Sequence, residues 1–206
     1  MVAALTKREI KREARRRAIL RCARTSIMKH GYAGTTMSGI AAALGGSKTT
    51  LWSYFPTKEA LFGAVIDEEI VRFRDELLGI FDLSGTLEET LRRFCTALLG
   101  KLLQPDAIRL HRIITGEAER FPEIGRIFYE RGPQHTQLRL AAYLQEAMDR
   151  GELRRADPLQ AARQLTILIQ PVFMLRLWKV SNGRVDTSAE ATAAVDAFLR
   201  AYAPGT

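Results

Sequence analysis

Residues 35–55 read TTMSGIAAALGGSKTTLWSYF, and this stretch decides the fold of the chain around it. Thr36 can cap a first short helix, because its hydroxyl can accept an N–H of the first turn. Gly45 and Gly46 then suit a tight turn, since glycine adopts backbone angles that other residues resist. Ser47 can cap a second short helix in the same way. Two short helices joined by a glycine turn predict a helix-turn-helix.

The second of these helices has an apolar side and a polar side. Leu51 and Phe55 are four residues apart and therefore share one face, which we expect to be buried. The opposite face carries Lys48, Thr49, Trp52 and Ser53. An ammonium group, hydroxyls and an aromatic ring suit the major groove of DNA. Lys58 lies in the first turn of the next predicted helix, where a positive charge interacts unfavourably with the helix dipole. This placement is unusual unless the side chain meets a phosphate.

Basic charge is concentrated in the first quarter of the chain. Residues 1–58 hold 12 lysines and arginines against two acids, a net charge of +10. Residues 59–206 hold 19 bases against 21 acids, a net charge of −2. A solvated helix face is the usual reason for a basic run. Because this excess coincides with the helix-turn-helix, we interpret it as a surface for a polyanion, with arginines of the first helix touching phosphates.

The remainder of the sequence predicts helices, so the expected fold class is all-α. Apolar residues recur at helical spacing, and no alternating run of β-branched residues occurs. Capping patterns occur at Thr57, at Thr86-x-x-Glu89, at Asp157-Pro158 and at Thr187-x-x-Glu190. A long helix should break or kink at Gly132-Pro133. The predicted helices, about nine of them, cover residues 7–30, 37–44, 48–55, 58–80, 87–102, 105–121, 122–150 and 158–178 and begin again at 187.

Composition excludes several classes of protein. An apolar fraction of 47% and a charged fraction of 26% are typical of globular chains and not of disordered ones. Cys22 and Cys95 provide no disulfide framework and no cysteine zinc site. The sequence does not open on a signal peptide, and its most apolar stretch, 165–180, is too interrupted for a bilayer span of ~20 residues. We therefore expect a soluble cytoplasmic protein with no cofactor.

The helix-turn-helix belongs to a longer ordered series of motifs. These are Gly31-Tyr32, Thr35-Thr36-Met37, Ile40-Ala41, Gly45-Gly46-Ser47-Lys48 and the run TLWSYFPTKEALF from Thr50 to Phe62. With these motifs, the stretch from Arg17 to Phe62 resembles the DNA-binding domain of the TetR family of bacterial transcriptional regulators. The resemblance implies that Thr36 caps the first helix of the motif and touches a phosphate. It implies that the major groove is faced by Lys48, Thr49, Thr50 and Ser53, and that the DNA backbone is gripped by Trp52, Tyr54 and Lys58.

The sequence departs from the family pattern at three positions in this stretch. Gly46 stands where the family more often has valine, and Thr49 stands where glycine is common. Trp52 replaces the usual tyrosine. None of these changes breaks the expected fold, and they leave the set of base-reading residues open.

Residues 105–178 resemble the C-terminal domain of the AefR-like branch of the same family. The resemblance is carried by IRLHRIITGEAERF at 108–121 and by Pro122-Glu123, Phe128-Tyr129 and Tyr143-Leu144. It implies a homodimer in which the eighth and ninth helices of two chains form a four-helix bundle beside a ligand cavity. The predicted helix over 158–178 is apolar on nearly all sides from Leu165 to Trp178, and small residues on the last helix suit close approach. Burial in a monomer core is the alternative explanation.

Polar or aromatic side chains on otherwise apolar faces are the candidates for ligand binding. They are Arg112, Glu117, Phe128, Gln170, Met174 and Trp178. An internal ion pair is the alternative for Arg112, and ordinary core packing is the alternative for Phe128 and Met174.

The sequence carries no recognisable pattern of catalytic or metal-binding residues. His30, His111 and His135 lie far apart and match no metal-ligand spacing. The sequence contains no P-loop, no dinucleotide fingerprint and no Gly-x-Ser-x-Gly. We therefore expect neither an enzyme nor a metal site.

Together these patterns predict two domains and one function. Residues 1–58 would form the DNA-binding domain, with the helix-turn-helix over about 36–55, and residues 59–206 would form the ligand-binding and dimerisation domain. The expected function is that of a homodimeric transcriptional repressor, which binds double-stranded operator DNA and is released by a small-molecule effector. The alternative is a DNA-binding protein without an effector, which is architectural or controlled by a partner. The operator, the regulated genes and the effector are not readable from the sequence.

Overall fold

The computed structural model describes residues 6–82 and 84–204, and the side chains of residues 71–76, 78 and 82 are outside this description. Every regular element in the described residues is helical, which confirms the predicted all-α fold. The helices are α1 (Lys7–Gly34), α2 (Met37–Ala43), α3 (Lys48–Tyr54), α4 (Lys58–Gly79), α5 (Leu87–Leu102), α6 (Pro105–Glu117), α7 (Pro122–Arg131), α8 (Pro133–Asp149), α9 (Pro158–Leu168), α10 (Pro171–Leu177) and α11 (Thr187–Ala201). A 3-10 turn, Ile80–Asp82, follows α4.

Caps that are visible in the sequence begin several of these helices. Thr86 and Glu89 form the predicted capping box of α5, and the carboxylate of Asp157 caps α9. The predicted cap of α11 was wrong by one residue. Asp186, and not Thr187, precedes that helix and accepts two N–H groups of its first turn. A carboxylate at this position also interacts favourably with the positive end of the helix dipole.

Two breaks divide helices that could have been continuous. The predicted break at Gly132 is confirmed, since this residue has φ −114° and ψ −89° and separates α7 from α8. The predicted continuous helix over 158–178 is wrong, because α9 ends at Leu168 and α10 begins at Pro171. Pro171 has no N–H to donate to the carbonyl four residues earlier, and its ring clashes with that carbonyl.

The chain divides into two compact units. The first contains the residues up to Glu69 and the segment Ile113–Phe128, and the second contains Ile70–Arg112 and the residues from Tyr129 onward. Helices α4, α6 and α7 therefore contribute residues to both units. This grouping differs from the predicted boundary after residue 58, because the first half of α4 and residues 113–128 pack with the helix-turn-helix.

The core of the first unit holds the short helices α2 and α3 in place. Ile40 of α2 and Leu51 of α3 are 2% and 3% exposed, and they join Leu20 of α1 and Phe62 of α4 in the buried set. Seven-residue helices are marginal in water by themselves. Burying each large apolar side chain contributes ~1.5–3 kcal/mol, so the motif is stabilised by its packing against α1 and α4.

The second unit has its own core, in which α5 packs against α11 and α8 packs against α9. Fully buried residues in this core include Phe94, Leu144, Leu165 and Phe198. Its helices are amphipathic, and none in the described part of the chain is long and apolar enough to cross a membrane.

Candidate nucleic-acid interface

Helix α3 has the two faces that its sequence predicts. Leu51 and Phe55 are buried at 3% and 4% exposure. The exposed residues of the helix are Lys48, Thr49, Thr50, Trp52 and Ser53, and Tyr54 is half-buried. Trp52 is 54% exposed, which is unusual for so large an aromatic side chain. The helix therefore presents one ammonium, several hydroxyls and an indole on a continuous surface.

The hydroxyl groups at this surface are organised by local hydrogen bonds. Thr36 caps α2 by accepting the N–H of Gly39 at 3.0 Å. Ser53 donates its hydroxyl to the Thr50 carbonyl at 2.8 Å, and the hydroxyls of Thr50 and Ser47 lie 2.9 Å apart. A hydroxyl that donates internally still has acceptor lone pairs. Ser53 is thus arranged to accept a hydrogen bond from a base N–H or from water.

Arginines of α1 contact the helix-turn-helix directly. The guanidinium carbon of Arg12 lies 5.9 Å from the centroid of the Tyr54 ring, and that of Arg16 lies 5.6 Å from the Phe55 ring. Such cation–π contacts hold α1 against the C-terminal end of α3. The basic excess of α1 was visible in the sequence, but the aromatic partners lie on another helix and could not be assigned from spacing.

Lys58 occupies the start of α4 and is only half-exposed. Its Nζ lies 4.0 Å from the centroid of the Tyr32 ring and 5.8 Å from that of Phe121. Burial lowers the pKa of Lys58, and the neighbouring carboxylates of Glu117 and Glu59 act in the opposite direction. The unusual positive charge in the first turn therefore has aromatic partners within the first unit.

Glu117, which the sequence suggested as a ligand residue, has a structural role in the first unit. Its carboxylate accepts the backbone N–H of Tyr32 at 3.0 Å and that of Ala33 at 2.6 Å. These amides follow Gly31, whose φ of 75° interrupts α1. The positive φ favours glycine at this position, and a Cβ at Gly31 would also displace the Glu117 carboxylate. Glu117 thus caps the turn that leads into the helix-turn-helix.

The other predicted ligand residues are not gathered in one unit. Phe128 belongs to the first unit, whereas Arg112, Gln170 and Met174 belong to the second. Gln170 and Met174 are half-buried, and Met174 packs against the core of the second unit. Trp178 is 63% exposed. The predicted six-residue set is therefore not assembled as a pocket within either unit.

Arg112 binds main-chain carbonyls, and among the described side chains it forms no ion pair of the kind considered from the sequence. Its Nε donates to the Leu177 carbonyl at 2.8 Å, and its Nη2 donates to the Arg176 carbonyl at 2.6 Å. These carbonyls lie at the C-terminal end of α10, where a cation also interacts favourably with the negative end of the helix dipole. Arg112 consequently ties α6 to α10 within the second unit.

His111 is a half-buried titratable residue that the sequence did not single out as functional. Its Nδ1 lies 2.8 Å from the Ala107 carbonyl, and its ring meets the edge of Phe173 with centroids 4.9 Å apart. Burial lowers the pKa of His111, and the hydrogen bond to Ala107 partly offsets this. The sequence offered one signal for this residue, since His111 is a polar residue that lies beside the apolar positions of α6 in the helical repeat.

Comparison with known proteins bears on both units. Residues 19–65 match the family described as bacterial regulatory proteins of the tetR family, and residues 89–204 match the C-terminal domain of AefR-like transcriptional repressors. The chain belongs to the TetR family. As a TetR-family member it is a DNA-binding transcriptional regulator, which confirms the predicted function class; dimers and small-molecule effectors are typical of this family.

Individual relatives of this TetR-family chain match most of its length or only about a quarter of it. The structure of the flavonoid-responsive regulator FrrA is 33% identical, covers 94% of this chain and 100% of its own, and superimposes with a TM-score of 0.81. A TetR-family regulator from Mesorhizobium loti MAFF303099 is 30% identical, covers 93% and 98% of the two chains, and gives a TM-score of 0.79. RutR of Escherichia coli K12 is 45% identical over 53 residues, which are 26% of this chain and 25% of RutR.

Proposed function

We propose that the protein is a homodimeric repressor whose two copies of α3 enter successive major grooves of a pseudo-palindromic operator. The observation that carries this proposal is the exposed face of α3, which includes Lys48, Thr49 and Trp52. It belongs to the segment of the chain with a net charge of +10. Two such helices read one face of DNA when they lie ~34–36 Å apart.

Exposed apolar side chains support a dimer through α9, α10 and α11. Ile167 is 62% exposed, and Leu168, Leu175, Trp178 and Val180 are also exposed in the single chain. Clusters of this kind are typical of protein interfaces. A monomer core does not account for them. In the neighbouring helix α11, Ala191 and Ala194 are buried in the core of the single chain. Ala189 and Ala193 are exposed, and small residues of this kind favour close approach of a second helix.

A small organic effector is the proposed signal for release. The name of FrrA describes it as flavonoid-responsive, and its similarity spans both units of this chain. Flavonoids are therefore the first effector class that we would test. Gln170 and Met174, together with the newly identified His111, are the candidate contacts in the second unit, while Trp178 is assigned to the dimer surface.

The proposal includes a cytoplasmic location and the absence of catalysis. Both follow from the function of operator binding, since the DNA target is cytoplasmic in bacteria and the regulator requires no turnover.

The proposed function is tested by selecting bound DNA from a random duplex library. An enriched two-fold symmetric sequence is expected, and its affinity should fall when a flavonoid panel is added. Operator DNA should weaken binding of the active flavonoid by the same factor, because coupling between two ligands is reciprocal. An enriched sequence whose affinity no effector changes would support the alternative of a DNA-binding protein without an effector. No enriched sequence would contradict operator binding itself.

The dimer surface is tested with charge substitutions of exposed apolar residues. Ile167→Glu and Trp178→Glu should give monomers in sedimentation analysis. Leu138→Glu is the matched control, because Leu138 is 50% exposed but lies on α8, outside the proposed surface. Dimers that persist in the first two variants would contradict the assignment.

A further inference from the structure

The turn between α2 and α3 contains two glycines that are needed for different reasons. Gly45 has φ 61°, and a Cβ there would meet no atom within 4 Å, so its conformation alone favours glycine. Gly46 is not among the residues with positive φ. A Cβ at Gly46 would instead lie 2.6 Å from Nη2 of Arg15. A side chain at residue 46 would therefore displace the guanidinium of Arg15 from its present position.

The carbonyls at the end of α2 show what Arg15 contributes there. The N–H of Gly46 bonds to the Ala41 carbonyl at 3.0 Å, and that of Gly45 bonds to the Ala42 carbonyl at 3.1 Å. This is the Schellman pattern that ends many helices. Beyond it, the carbonyl of Leu44 accepts a hydrogen bond from Arg15 Nη2 at 3.3 Å. Arg15 thus completes the cap of α2 from another helix.

The environment of Arg15 strengthens this contact. The side chain is half-buried in a recess that Ile19, Leu51 and Thr50 help to line. A charged donor in a partly desolvated site forms a stronger hydrogen bond than an exposed neutral one. A guanidinium at the C-terminal end of α2 also interacts favourably with the helix dipole.

We propose that Arg15 and Gly46 are a positioning pair, which sets the turn between α2 and α3 and so the presentation of α3 to DNA. Ser47 follows Gly46 directly and caps α3 through the N–H of Thr50 at 3.1 Å. A shift of the backbone at residue 46 would therefore also move the first turn of α3. A side chain at residue 46 would displace the Arg15 guanidinium from the Leu44 carbonyl, so the two residues depend on each other. The proposal rests on the proposed operator binding by α3.

The test is a double-mutant cycle on the ratio of operator affinity to nonspecific DNA affinity. Arg15→Ala and Gly46→Ala should each lower this ratio about tenfold, because each variant disturbs the contact between Arg15 and the Leu44 carbonyl. The expected deviation from additivity is also about tenfold, which lies within the range for residues in contact. The double variant should be no worse than Arg15→Ala alone, because a methyl group fits once the guanidinium is absent. Gly46→Ala removes no charge, so its effect cannot come from weaker attraction to phosphates. Gly46→Val should behave like Gly46→Ala.

Gly45→Ala is the matched control within the same turn. It strains the backbone regardless of Arg15, so its effect should add to that of Arg15→Ala. The Arg15 side chain can swing away at its flexible end, and Gly46→Ala should therefore remain folded, as its unfolding curve will show.

Two outcomes would overturn the pair, and a third concerns the wider function. Additive effects of Arg15→Ala and Gly46→Ala would overturn the pair, as would an unchanged affinity ratio in either single variant. A wild-type protein that shows no preference for any DNA sequence would instead contradict the proposed operator binding, and the pair would fall with it.

Discussion

The ammonium group of Lys58 lies on the face of the Tyr32 ring, with Nζ 4.0 Å from the ring centroid. The Tyr32 hydroxyl donates to Glu59 Oε1 at 3.2 Å, so one buried ring contacts the first two residues of α4. Burial and the charge of Glu59 raise the pKa of Tyr32. The ring also meets Phe62 and Phe121 edge-on, each at a centroid distance of 5.3 Å. Tyr32 therefore links the end of α1 to the start of α4.

Substitutions of Tyr32 should separate the contribution of its hydroxyl from that of its ring. Tyr32→Phe should lower the free energy of unfolding by about 1–2 kcal/mol, because it removes a hydrogen bond to a carboxylate. Tyr32→Leu should cost about 3 kcal/mol or more, because the ring contacts are lost as well. Urea denaturation without DNA measures both values. Tyr129→Phe, at an exposed tyrosine, is the control and should change stability by less than ~0.5 kcal/mol. Equal losses of unfolding free energy in the two Tyr32 variants would show that the ring contacts do not contribute to stability.

Variants of Lys48 and Thr49 should differ in kind from variants of Lys58. Lys48→Ala and Thr49→Ala should relax sequence preference, with about 1–3 kcal/mol lost for each good base contact. The ammonium of Lys58 lies on Tyr32 but is half-exposed, so it can also meet a phosphate. Lys58→Ala should then weaken binding to all DNA roughly equally and reduce the salt slope by about one. Competition binding against a panel of mutated operators distinguishes these cases. A change of preference in Lys58→Ala, with none in Thr49→Ala, would contradict the assignment of the exposed face of α3.

Operator binding should depend steeply on salt concentration. The slope of log affinity against log salt is about −0.9 for each phosphate that is neutralised. A dimer that makes ~6–10 phosphate contacts should therefore lose about three to five decades of affinity between 50 and 200 mM salt. Fluorescence anisotropy with a labelled operator at four salt concentrations measures the slope. A flat profile would contradict the interpretation of the basic first quarter of the chain.

Glu117 should protect two specific backbone amides. Glu117→Gln retains one acceptor oxygen and should lower the free energy of unfolding by about 1 kcal/mol. The amides of Tyr32 and Ala33 should exchange hydrogen faster in this variant, while those in the middle of α1 should be unaffected. Glu119→Gln, at an exposed position two residues away, is the control. Unchanged exchange at Tyr32 and Ala33 in Glu117→Gln would mean that the carboxylate does not hold this turn in solution.

His111 should make stability depend on pH just below neutrality. Burial places the pKa of His111 in the folded protein below its ordinary value of 6.5. The unfolded chain then binds a proton first as pH falls, so stability is full above pH 6.5 and declines until the folded pKa is reached. The slope from one such group is at most about 1.4 kcal/mol per pH unit.

His111→Gln cannot titrate and should flatten this part of the stability curve. Gln can still donate to the Ala107 carbonyl, so the packing of α6 is disturbed as little as possible. Denaturation at pH 7.5, 6.5 and 5.5 compares this variant with wild type and with His135→Gln, whose histidine is exposed. If the stability of His111→Gln falls with pH as steeply as that of the wild-type protein, the pH dependence comes from other groups.

Local signals in the sequence determined the helical class, the caps and the two faces of α3. Thr36, Ser47 and Thr86 act within three residues of their partners, so the relevant contacts are present in the sequence itself. The spacing of Leu51 and Phe55 specifies one face of a helix for the same reason. The break before α10 also has a local cause, because Pro171 alone is sufficient to end α9. The prediction of a continuous helix over 158–178 gave this proline too little importance.

Only the tertiary structure decided what the charged side chains do. Glu117 bonds to a backbone amide 85 residues away, and Arg15 reaches a carbonyl 29 residues away on another helix. Such contacts depend on how helices pack, and helical spacing within one segment carries no information about the partner segment. The sequence therefore specified a basic, amphipathic helix-turn-helix by itself, whereas packing decided that Arg15 caps α2, that Lys58 lies on Tyr32 and that Glu117 belongs to the turn after α1.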